Sequence, residues 1–348
     1  MIQRRMSRPI HIGDVTVGGG APVIVQSMTK TDTRDAIATV DQIHRLEEYG
    51  CQIVRMAVPD NEAATSIPKI KSLTSIPLIA DIHFDYRLAL LALEGGVDGL
   101  RLNPGNIADR EQIKMVVLAA KDRNVPIRIG VNAGSLPKTA GGKQSTVDRM
   151  VSAALEQIEL LESLDFELIK VSLKAFDVPD MVSANKELSE RIPYPIHLGI
   201  TEAGTPRCGI IRSAVGIGIL LHLGIGDTIR VSLSSDPCEE VTAGYEILKA
   251  LNLSQRGPTL ISCPSCGRTE VDIIGLANAV EERLQKLEKS LKVAVMGCVV
   301  NGPGEAKDAD VGIACGKGRG VIFRNGKQVC TVDEANFLEV LMQEIEAF

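Results

Sequence analysis

The feature of this sequence that most constrains its fold is a regular alternation between residues 23 and 255. Short runs rich in β-branched residues, which are typical of buried strands, alternate there with longer segments of helical periodicity. We count eight such pairs, with strands predicted at 23–28, 53–58, 78–82, 100–104, 127–132, 167–173, 196–201 and 228–233. Strands joined through right-handed helical crossovers pair in parallel, and eight of them close most simply into a barrel. The sequence therefore predicts a TIM (β/α)8 barrel, with an open doubly wound sheet as the competing architecture.

A second domain is predicted after the barrel, because 348 residues exceed what one hydrophobic core usually supports. The repeat is interrupted near residues 253–260, so we place a linker there, a barrel domain at 1–255 and a second domain at 256–348. The second domain has an α+β pattern. Its predicted elements are a helix near 270–290, strands near 292–296 and 311–314, a hairpin turning at Asn325-Gly326, and a final helix over 332–347.

Composition and charge argue against several classes of protein. No apolar run approaches the roughly 20 residues of a membrane span, and the first residues lack the apolar segment of a secretory signal, so we expect a cytoplasmic protein. The net charge is −6 and the sequence has no run of five or more basic residues, which argues against nucleic-acid binding. Eight cysteines in a reducing compartment are expected to be free thiols or metal ligands.

Polar residues follow or end nearly every predicted strand of the barrel, which is where TIM barrels carry their active sites. These candidates are Arg55, Asp81, His83, Arg101, Asn103, Asn106, Arg128, Asn132, Lys170, Ser172, Thr201, Glu202, Arg230 and Ser232. Four arginines and one lysine among them would converge on a single mouth. Because enclosed like charges are costly unless an anion balances them, we expect a ligand the size of a diphosphate. The alternative is that some of these cations form salt bridges with Asp81, Glu202 or Glu167.

Three cysteines of the second domain suggest a metal site. The segment CPSC at residues 263–266 is followed by GCVVNGPGE at residues 297–305, which supplies Cys298. A four-iron cluster held by three thiolates would keep one iron open to another ligand, whereas zinc would ordinarily recruit a histidine or a fourth cysteine. Cys315 or Cys330 could supply that fourth thiolate, so a structural zinc site remains an alternative at this point.

Several motifs together resemble the bacterial 4-hydroxy-3-methylbut-2-en-1-yl diphosphate synthase family of the methylerythritol phosphate route to isoprenoids. They are VQSMTKTDTRD, ADIHFDYRLAL, RLNPGNI, IRIGVNAGSL, KVSLKAFD, LGITEAG, RVSLSSDP, ISCPSCGRTEVD and VMGCVVNGPGEAKDADVGIACGKG. The resemblance runs nearly end to end, and CPSCGR with GCVVNGPGE is far more specific than a bare CxxC pair. One departure is Phe176, where a serine is expected in many relatives.

The resemblance implies a cofactor and a reaction. The cofactor is one [4Fe-4S] cluster per subunit, with Cys263, Cys266, Cys298 and Glu305 as its ligands. The reaction is the two-electron reductive ring opening and dehydration of 2-C-methyl-D-erythritol 2,4-cyclodiphosphate. Glu305 would also act in catalysis, Glu202 is our candidate acid, and Asp81 and His83 are secondary candidates.

The resemblance also implies partners. A flavodoxin or ferredoxin would supply electrons, since the sequence carries no GxGxxG nucleotide fingerprint. The protein would form a homodimer in which the cluster domain of one subunit covers the barrel mouth of the other. The competing functions are a non-redox phosphosugar- or pterin-type barrel enzyme with a structural zinc domain, and a non-enzymatic binding module.

Overall fold

The structure is a computed structural model that describes residues 2–83, 85–102, 109–136, 144–285, 287–298 and 309–348. The chain divides into two compact units, Met1–Ser254 and Gln255–Phe348. None of the described helices is both long and apolar enough to cross a lipid bilayer.

A small hairpin that the sequence analysis did not anticipate precedes the barrel. Its antiparallel strands are β1 (Ile10–Ile12) and β2 (Val15–Val17). The apolar side chains of this hairpin form one buried cluster with Ile24, Ile53 and Ile79, which lie at or near the amino-terminal ends of three barrel strands. The hairpin therefore packs at the end of the barrel opposite to the one where TIM barrels carry their active sites.

The barrel itself is formed by parallel strands. In the described part of the chain these are β3 (Ile24–Met28), β4 (Ile53–Ala57), β5 (Leu78–Ile82), β6 (Gly99–Leu102), β7 (Ile127–Asn132), β8 (Ile169–Lys174), β9 (His197–Leu198) and β10 (Thr228–Ile229). Their hydrogen-bonded order is β8-β7-β6-β5-β4-β3-β10-β9. A parallel bridge between Val171 and Ile196 joins β8 to the start of β9 and closes the sheet. The predicted TIM barrel is confirmed, and the open sheet is wrong.

Helices follow the barrel strands and cover the sheet from outside. They are α1 (Ala36–Glu48), α2 (Asn61–Leu73), α3 (Tyr86–Glu94), α4 (Arg110–Asp122), α5 (Thr146–Ser163), α6 (Val178–Arg191), α7 (Pro206–His222) and α8 (Pro237–Ala250). An aspartate side chain accepts a hydrogen bond from the first turn of six of these described helices, and Ser145 does the same for α5. These caps satisfy otherwise unpaired backbone N–H groups and fix where each strand-to-helix turn ends.

The second unit is a five-stranded sheet, counted over the described residues, with helices packed on it. Its elements are β11 (Thr259–Ser262), α9 (Ile273–Leu284), β12 (Lys292–Met296), β13 (Val311–Gly316), β14 (Arg319–Arg324), β15 (Lys327–Asp333) and α10 (Phe337–Glu346). The sheet order follows the chain, with β11, β12 and β13 parallel and β13, β14 and β15 antiparallel. Apolar side chains of α9 and α10, such as Val280 and Leu341, form a core with those of the sheet.

Three sequence predictions for this unit need adjustment. The final helix does not begin at Val332, because that residue pairs with Gly320 in the sheet and a 3-10 turn, Glu334–Asn336, precedes α10. Strand β11 begins at Thr259, within the stretch predicted as a linker. Helix α9 is shorter than predicted, whereas the hairpin turn at Asn325-Gly326 is confirmed, with positive φ at both residues.

Candidate active site

A cavity of about 280 Å³ opens at the carboxyl ends of the barrel strands. Eleven of the predicted site residues line it, namely Arg55, Asp81, His83, Arg101, Arg128, Asn132, Ser172, Thr201, Glu202, Arg230 and Ser232. The remaining lining residues are Lys174 and Ile200. Polar side chains at the ends of the barrel strands therefore line one cavity, and this cavity is rich in positive charge.

Asp81 lies among the cations of this cavity. Its carboxylate is 3.2 Å from NH1 of Arg101 and 3.6 Å from both Nε of Arg55 and Nε2 of His83. Burial alone raises the pKa of Asp81, but Arg55, the hydrogen bond with His83 and Arg101 outweigh burial and hold that pKa well below its usual range. Asp81 is consequently a fixed negative charge.

Arg128 carries less compensation than Arg55 and Arg101, which both contact Asp81. Nε and NH1 of Arg128 are buried and have no hydrogen-bond partner among the described residues. Burial lowers the pKa of Arg128 well below its ordinary value, and Arg55 and Arg101 lower it further. Burial likewise lowers the pKa of Arg55 to about 10, with Arg230 and Arg101 acting in the same direction and Asp81 against them. Uncompensated donors in an enclosed site favour a bound anion.

The lysine that lines the cavity is Lys174, and the predicted Lys170 is not among the described lining residues. Lys170 is 1% exposed, lies beside Arg128 in the strand register, and its Nζ has no hydrogen-bond partner in the described structure. Strand β8 extends to Lys174, one residue beyond the predicted end at Leu173. Because side chains alternate along a strand, Lys170, Ser172 and Lys174 all face the barrel interior, and Lys174 lies nearest the mouth.

Two glycines provide the room that these long cations need. A Cβ atom on Gly130 would lie 2.7 Å from Nε of Arg101, and one on Gly199 would lie 2.7 Å from Nζ of Lys174. Any larger residue would displace the cation or the backbone. These positions, which a sequence reading treats as ordinary strand glycines, determine where Arg101 and Lys174 can lie.

Glu202 lies at the exposed edge of the cavity. It adopts a left-handed backbone with φ of 53°, which is uncommon for a residue with a side chain and is often found at functional sites. The following loop is held by Arg212, whose NH1 donates to the carbonyl of Ala203 at 2.9 Å. The same guanidinium lies 4.6 Å from the ring centroid of Phe176, so Phe176 supports this loop through a cation–π contact with Arg212.

Three predicted site residues, Asn103, Asn106 and Glu305, lie outside the described residues. Their positions stay predictions.

The three cysteines predicted as metal ligands lie in one unit, at or after the ends of β11 and β12. The backbone N–H of Gly297, which precedes Cys298, donates to Sγ of Cys263 at 3.2 Å. Hydrogen bonds from the backbone and side chain of Arg268 lower the pKa of the Cys266 thiol, and Arg268 also interacts with Cys298. Over the residues the structure describes, no group of three or more histidine, cysteine or acidic side chains is arranged to hold a metal ion. The lowered pKa increases the thiolate fraction of Cys266, and thiolate is the form that binds a metal.

The alternative zinc ligand Cys315 lies in a different environment. It is fully buried in the apolar core under α9 and α10, and burial raises the pKa of its thiol to about 12. Cys51 and Cys238 in the barrel are likewise buried, with pKa values raised by burial to about 12 and about 11. These three thiols are therefore packing residues.

The fold and the cavity together define a class of protein, a TIM-barrel protein with a cavity lined by cationic side chains at the carboxyl ends of its strands and a separate α+β domain. Residues 7–245 match the family described as the GcpE TIM-barrel domain, and residues 259–347 match the GcpE protein C-terminal domain. The chain belongs to the GcpE family.

Curated relatives match along nearly their whole length. A protein of Dehalococcoides mccartyi is 61% identical over 345 residues, covering 99% of both chains. One of Geobacter sulfurreducens is 58% identical, with 98% of this chain and 97% of the relative covered. One of Geobacillus kaustophilus is 56% identical, with 99% and 93% covered. Each is named 4-hydroxy-3-methylbut-2-en-1-yl diphosphate synthase (flavodoxin).

Solved structures of dihydropteroate synthases share the barrel fold. The enzyme of Xanthomonas albilineans superposes with a TM-score of 0.54 at 16% identity, covering 71% of this chain and 97% of that one. The Burkholderia cenocepacia enzyme gives a TM-score of 0.53 at 15% identity, covering 71% and 96%. At this identity the likeness concerns the fold alone.

Proposed function

We propose that this protein catalyses the reductive ring opening and dehydration of 2-C-methyl-D-erythritol 2,4-cyclodiphosphate to 4-hydroxy-3-methylbut-2-en-1-yl diphosphate. The reaction takes up two electrons and releases one water. The names of relatives that match nearly the whole chain support this proposal. The single structural observation that carries it is the cavity at the barrel mouth, which is lined by four arginines and Lys174.

The cations of the cavity have distinct roles in this proposal. Asp81 offsets and orients Arg55 and Arg101, as its distances to both guanidiniums indicate. Arg128 and Lys174 supply positive charge that no described carboxylate contacts directly, so they are the donors best suited to phosphate oxygens. Ser172, Asn132 and Ser232 line the same cavity and can hydrogen-bond the polar groups of the substrate.

Glu202 is the proton donor in this proposal. A proton must reach the oxygen that leaves as water, and Glu202 is the carboxyl group at the exposed edge of the cavity. Asp81 is a poor candidate for the same role, because its pKa is held far below the range in which a carboxylic acid carries a proton. His83, in contact with Asp81, is better placed to orient that carboxylate than to act alone.

A [4Fe-4S] cluster would be held by Cys263, Cys266 and Cys298, with Glu305 as the fourth ligand. When bound, the cluster would supply electrons one at a time. The observations that support this assignment are the lowered pKa of the Cys266 thiol and the hydrogen bond from the N–H of Gly297, which precedes Cys298, to Sγ of Cys263. The relatives' name indicates flavodoxin as their electron donor, and we extend that partner to this protein.

The structural zinc alternative receives no support from the fourth cysteine it requires. Cys315, one of the two candidates, is fully buried in the apolar core under α9 and α10. Cys330, the other candidate, lies on β15 at the far side of the sheet order from β11 and β12.

A cytoplasmic homodimer completes the proposal. Helix α7 carries three exposed large apolar side chains spaced four residues apart, Ile211, Val215 and Ile219, and the exposed Leu223 continues this spacing just after the helix ends. A second copy of the chain would bury this stripe. Ile211→Glu should then shift the molar mass in light scattering from dimer to monomer, and an unchanged mass would exclude this face from the contact.

The experiment that tests the function is anaerobic purification followed by iron and sulfide analysis. The purified protein is then given the cyclic diphosphate and a strong reductant. We expect near four irons per chain and formation of the open-chain diphosphate. Stoichiometric zinc without turnover would instead support a non-redox barrel enzyme.

A further inference from the structure

Glu240, in the first turns of α8, is a buried carboxylate that lies outside the predicted strand ends and has no role in the proposed reaction. Its side chain is fully buried, and it does not line the cavity among the described residues. A buried carboxylate is costly unless it is paired and hydrogen-bonded, so its contacts show what it does.

The principal partner of Glu240 is Arg230. Nε of Arg230 lies 3.1 Å from Oε2, and NH2 lies 3.3 Å from Oε1 and 3.1 Å from Oε2. This two-point contact fixes the plane of the guanidinium as well as its position. NH1 of Arg230 is the nitrogen not bonded to the carboxylate, and it lies 3.7 Å from Sδ of Met28.

Glu240 also fixes the loop that follows β10. Its Oε1 accepts from the backbone N–H of Leu233 at 3.0 Å, and its Oε2 accepts from the hydroxyl of Ser27 at 3.2 Å. Oε1 also forms a salt bridge with Nζ of Lys30 at 3.1 Å. Lys30 in turn donates to the carbonyl of Leu233 at 2.7 Å and to that of Ser235. The segment bearing Arg230 and Ser232 is therefore tied to the segment after β3 through one carboxylate.

Arg230 needs such a restraint because it shares the cavity with other cations. Sδ of Met28 lies 2.9 Å from NH2 of Arg55 and 3.7 Å from NH1 of Arg230, so two guanidiniums lie on the same thioether. Like charges at this spacing repel, and an unrestrained Arg230 would turn away from Arg55 and out of the cavity.

We propose that Glu240 is a positioning residue that holds the Arg230 guanidinium in the orientation in which it contacts a phosphate group of the ligand. This inference rests on the proposed function, since it requires an anion at the barrel mouth.

Two roles for Glu240 predict opposite signs of effect. If the carboxylate only offset positive charge, removing it would make the cavity more positive and tighten anion binding. If it positions Arg230, removing it weakens anion binding, because an amide at this position presents an N–H to the guanidinium and breaks the two-point contact.

The test is calorimetric titration of the full chain with inorganic diphosphate. We expect Glu240→Gln to weaken binding by about tenfold. Glu240→Asp, which keeps the charge but shortens the reach by about 1.5 Å, should also weaken binding, and any loss there comes from geometry alone. Glu239→Gln is the matched control, because it removes the same charge from an exposed position on the same turn and should change the affinity by less than about twofold.

A double-mutant cycle tests whether Glu240 acts through Arg230. In an Arg230→Gln background, Glu240→Gln should change the affinity by less than about twofold, because the positioned group is gone. Tighter binding by Glu240→Gln, or an equal loss in both backgrounds, would overturn the positioning role. If Glu240→Gln does not fold, as judged by circular dichroism, the same comparison is made with Glu240→Asp. Failure of the wild-type protein to bind diphosphate would instead overturn the anion site, and with it both proposals.

Discussion

Oδ1 of Asp81 lies 3.2 Å from NH1 of Arg101, and both side chains are at most 6% exposed. A pair this deeply buried is costly to break, because the remaining charge keeps its desolvation penalty without its partner. Asp81 therefore offsets the positive charges of Arg55 and Arg101 when no ligand is bound.

Asp81→Asn should therefore lower the free energy of unfolding by about 3 kcal/mol, the usual cost of leaving a buried charge unpaired. Inorganic diphosphate should restore part of that loss, because it supplies negative charge to Arg55 and Arg101. Chemical denaturation with and without diphosphate measures both effects. The control is Asp32→Asn, which breaks an exposed pair with Arg34 and should cost less than about 1 kcal/mol. If the two variants lost the same free energy of unfolding, Asp81 would contribute no more to stability than an exposed surface pair does.

Glu202→Gln should separate binding from chemistry. The amide cannot donate an acidic proton, so we expect kcat to fall by about 100-fold or more, while the affinity for inorganic diphosphate changes by less than about threefold. Steady-state kinetics of the reduced, anaerobic enzyme and calorimetry give the two numbers. Glu187→Gln, on the exposed surface of α6, serves as the charge-matched control. Retention of full turnover by Glu202→Gln would leave the proton donor to be found elsewhere.

The barrel could be predicted from the sequence because its signal is repetitive. Each βα unit carries both an apolar strand and a helical segment, and a boundary error of one or two residues does not alter the count. The hairpin of β1 and β2 was missed because each strand has only three residues, which is too short for an alternation pattern to emerge. The start of the final helix was misplaced because Val332 suits a strand as well as a helix, and pairing with Gly320 decided between them.

Site residues could be predicted where a polar residue lies at the end of a strand. They could not be predicted where their part in the site depends on tertiary contacts. Lys174 was missed because the strand was ended one residue early. Glu240 carried no signal, because an acidic residue in the first turn of a helix is also the ordinary complement of the helix dipole. Its pairing with Arg230 depends on how α8 packs on the barrel, which spacing along the chain does not encode.

Lys174 and Lys170 should differ in their effect on anion binding. Lys174→Met removes a cation that lines the cavity, so we expect diphosphate affinity to fall by about tenfold or more. Lys170→Met replaces a buried amine without a described hydrogen-bond partner by an apolar side chain of similar length, so affinity should change less and stability should rise. Calorimetry and thermal unfolding of both variants make the comparison. A larger loss of affinity from Lys170→Met would return that residue to the set of substrate ligands.

Anion binding should be accompanied by proton uptake. Burial, followed by Arg128 and Arg55, lowers the pKa of Lys174 well below its ordinary value of 10.5 in the anion-free protein. A bound anion raises that pKa, so the complex holds more protons and affinity rises as the pH falls from 10.5 towards the lowered pKa. For the same reason, Lys174 lowers the free energy of unfolding of the anion-free protein as the pH falls from 10.5 towards the lowered pKa. Over this range the unfolded chain binds the proton on Lys174 more tightly than the folded chain does.

Calorimetric titration with sulfate, which does not titrate in this window, in buffers of different ionisation enthalpy measures that uptake directly. Lys174→Met should reduce the number of protons taken up. Burial also lowers the pKa values of Lys170 and His197, and both residues remain in this variant. Binding heats independent of the buffer in the wild-type protein would contradict the coupling.

Cys315 and Cys263 should respond oppositely to replacement. Cys263→Ala removes one of three proposed thiolate ligands, so the anaerobically purified variant should contain less than about one iron per chain. Cys315→Ala removes a buried thiol whose pKa of about 12 keeps it protonated, so iron content should stay at the wild-type level while the free energy of unfolding falls by about 1 kcal/mol. Iron analysis and denaturation of both variants provide the comparison. An equal loss of iron from the two variants would arise either because Cys315 is a ligand or because its replacement unfolds the whole unit. The denaturation curves distinguish these two causes. Loss of iron from a folded Cys315→Ala variant would support a site with four cysteine ligands.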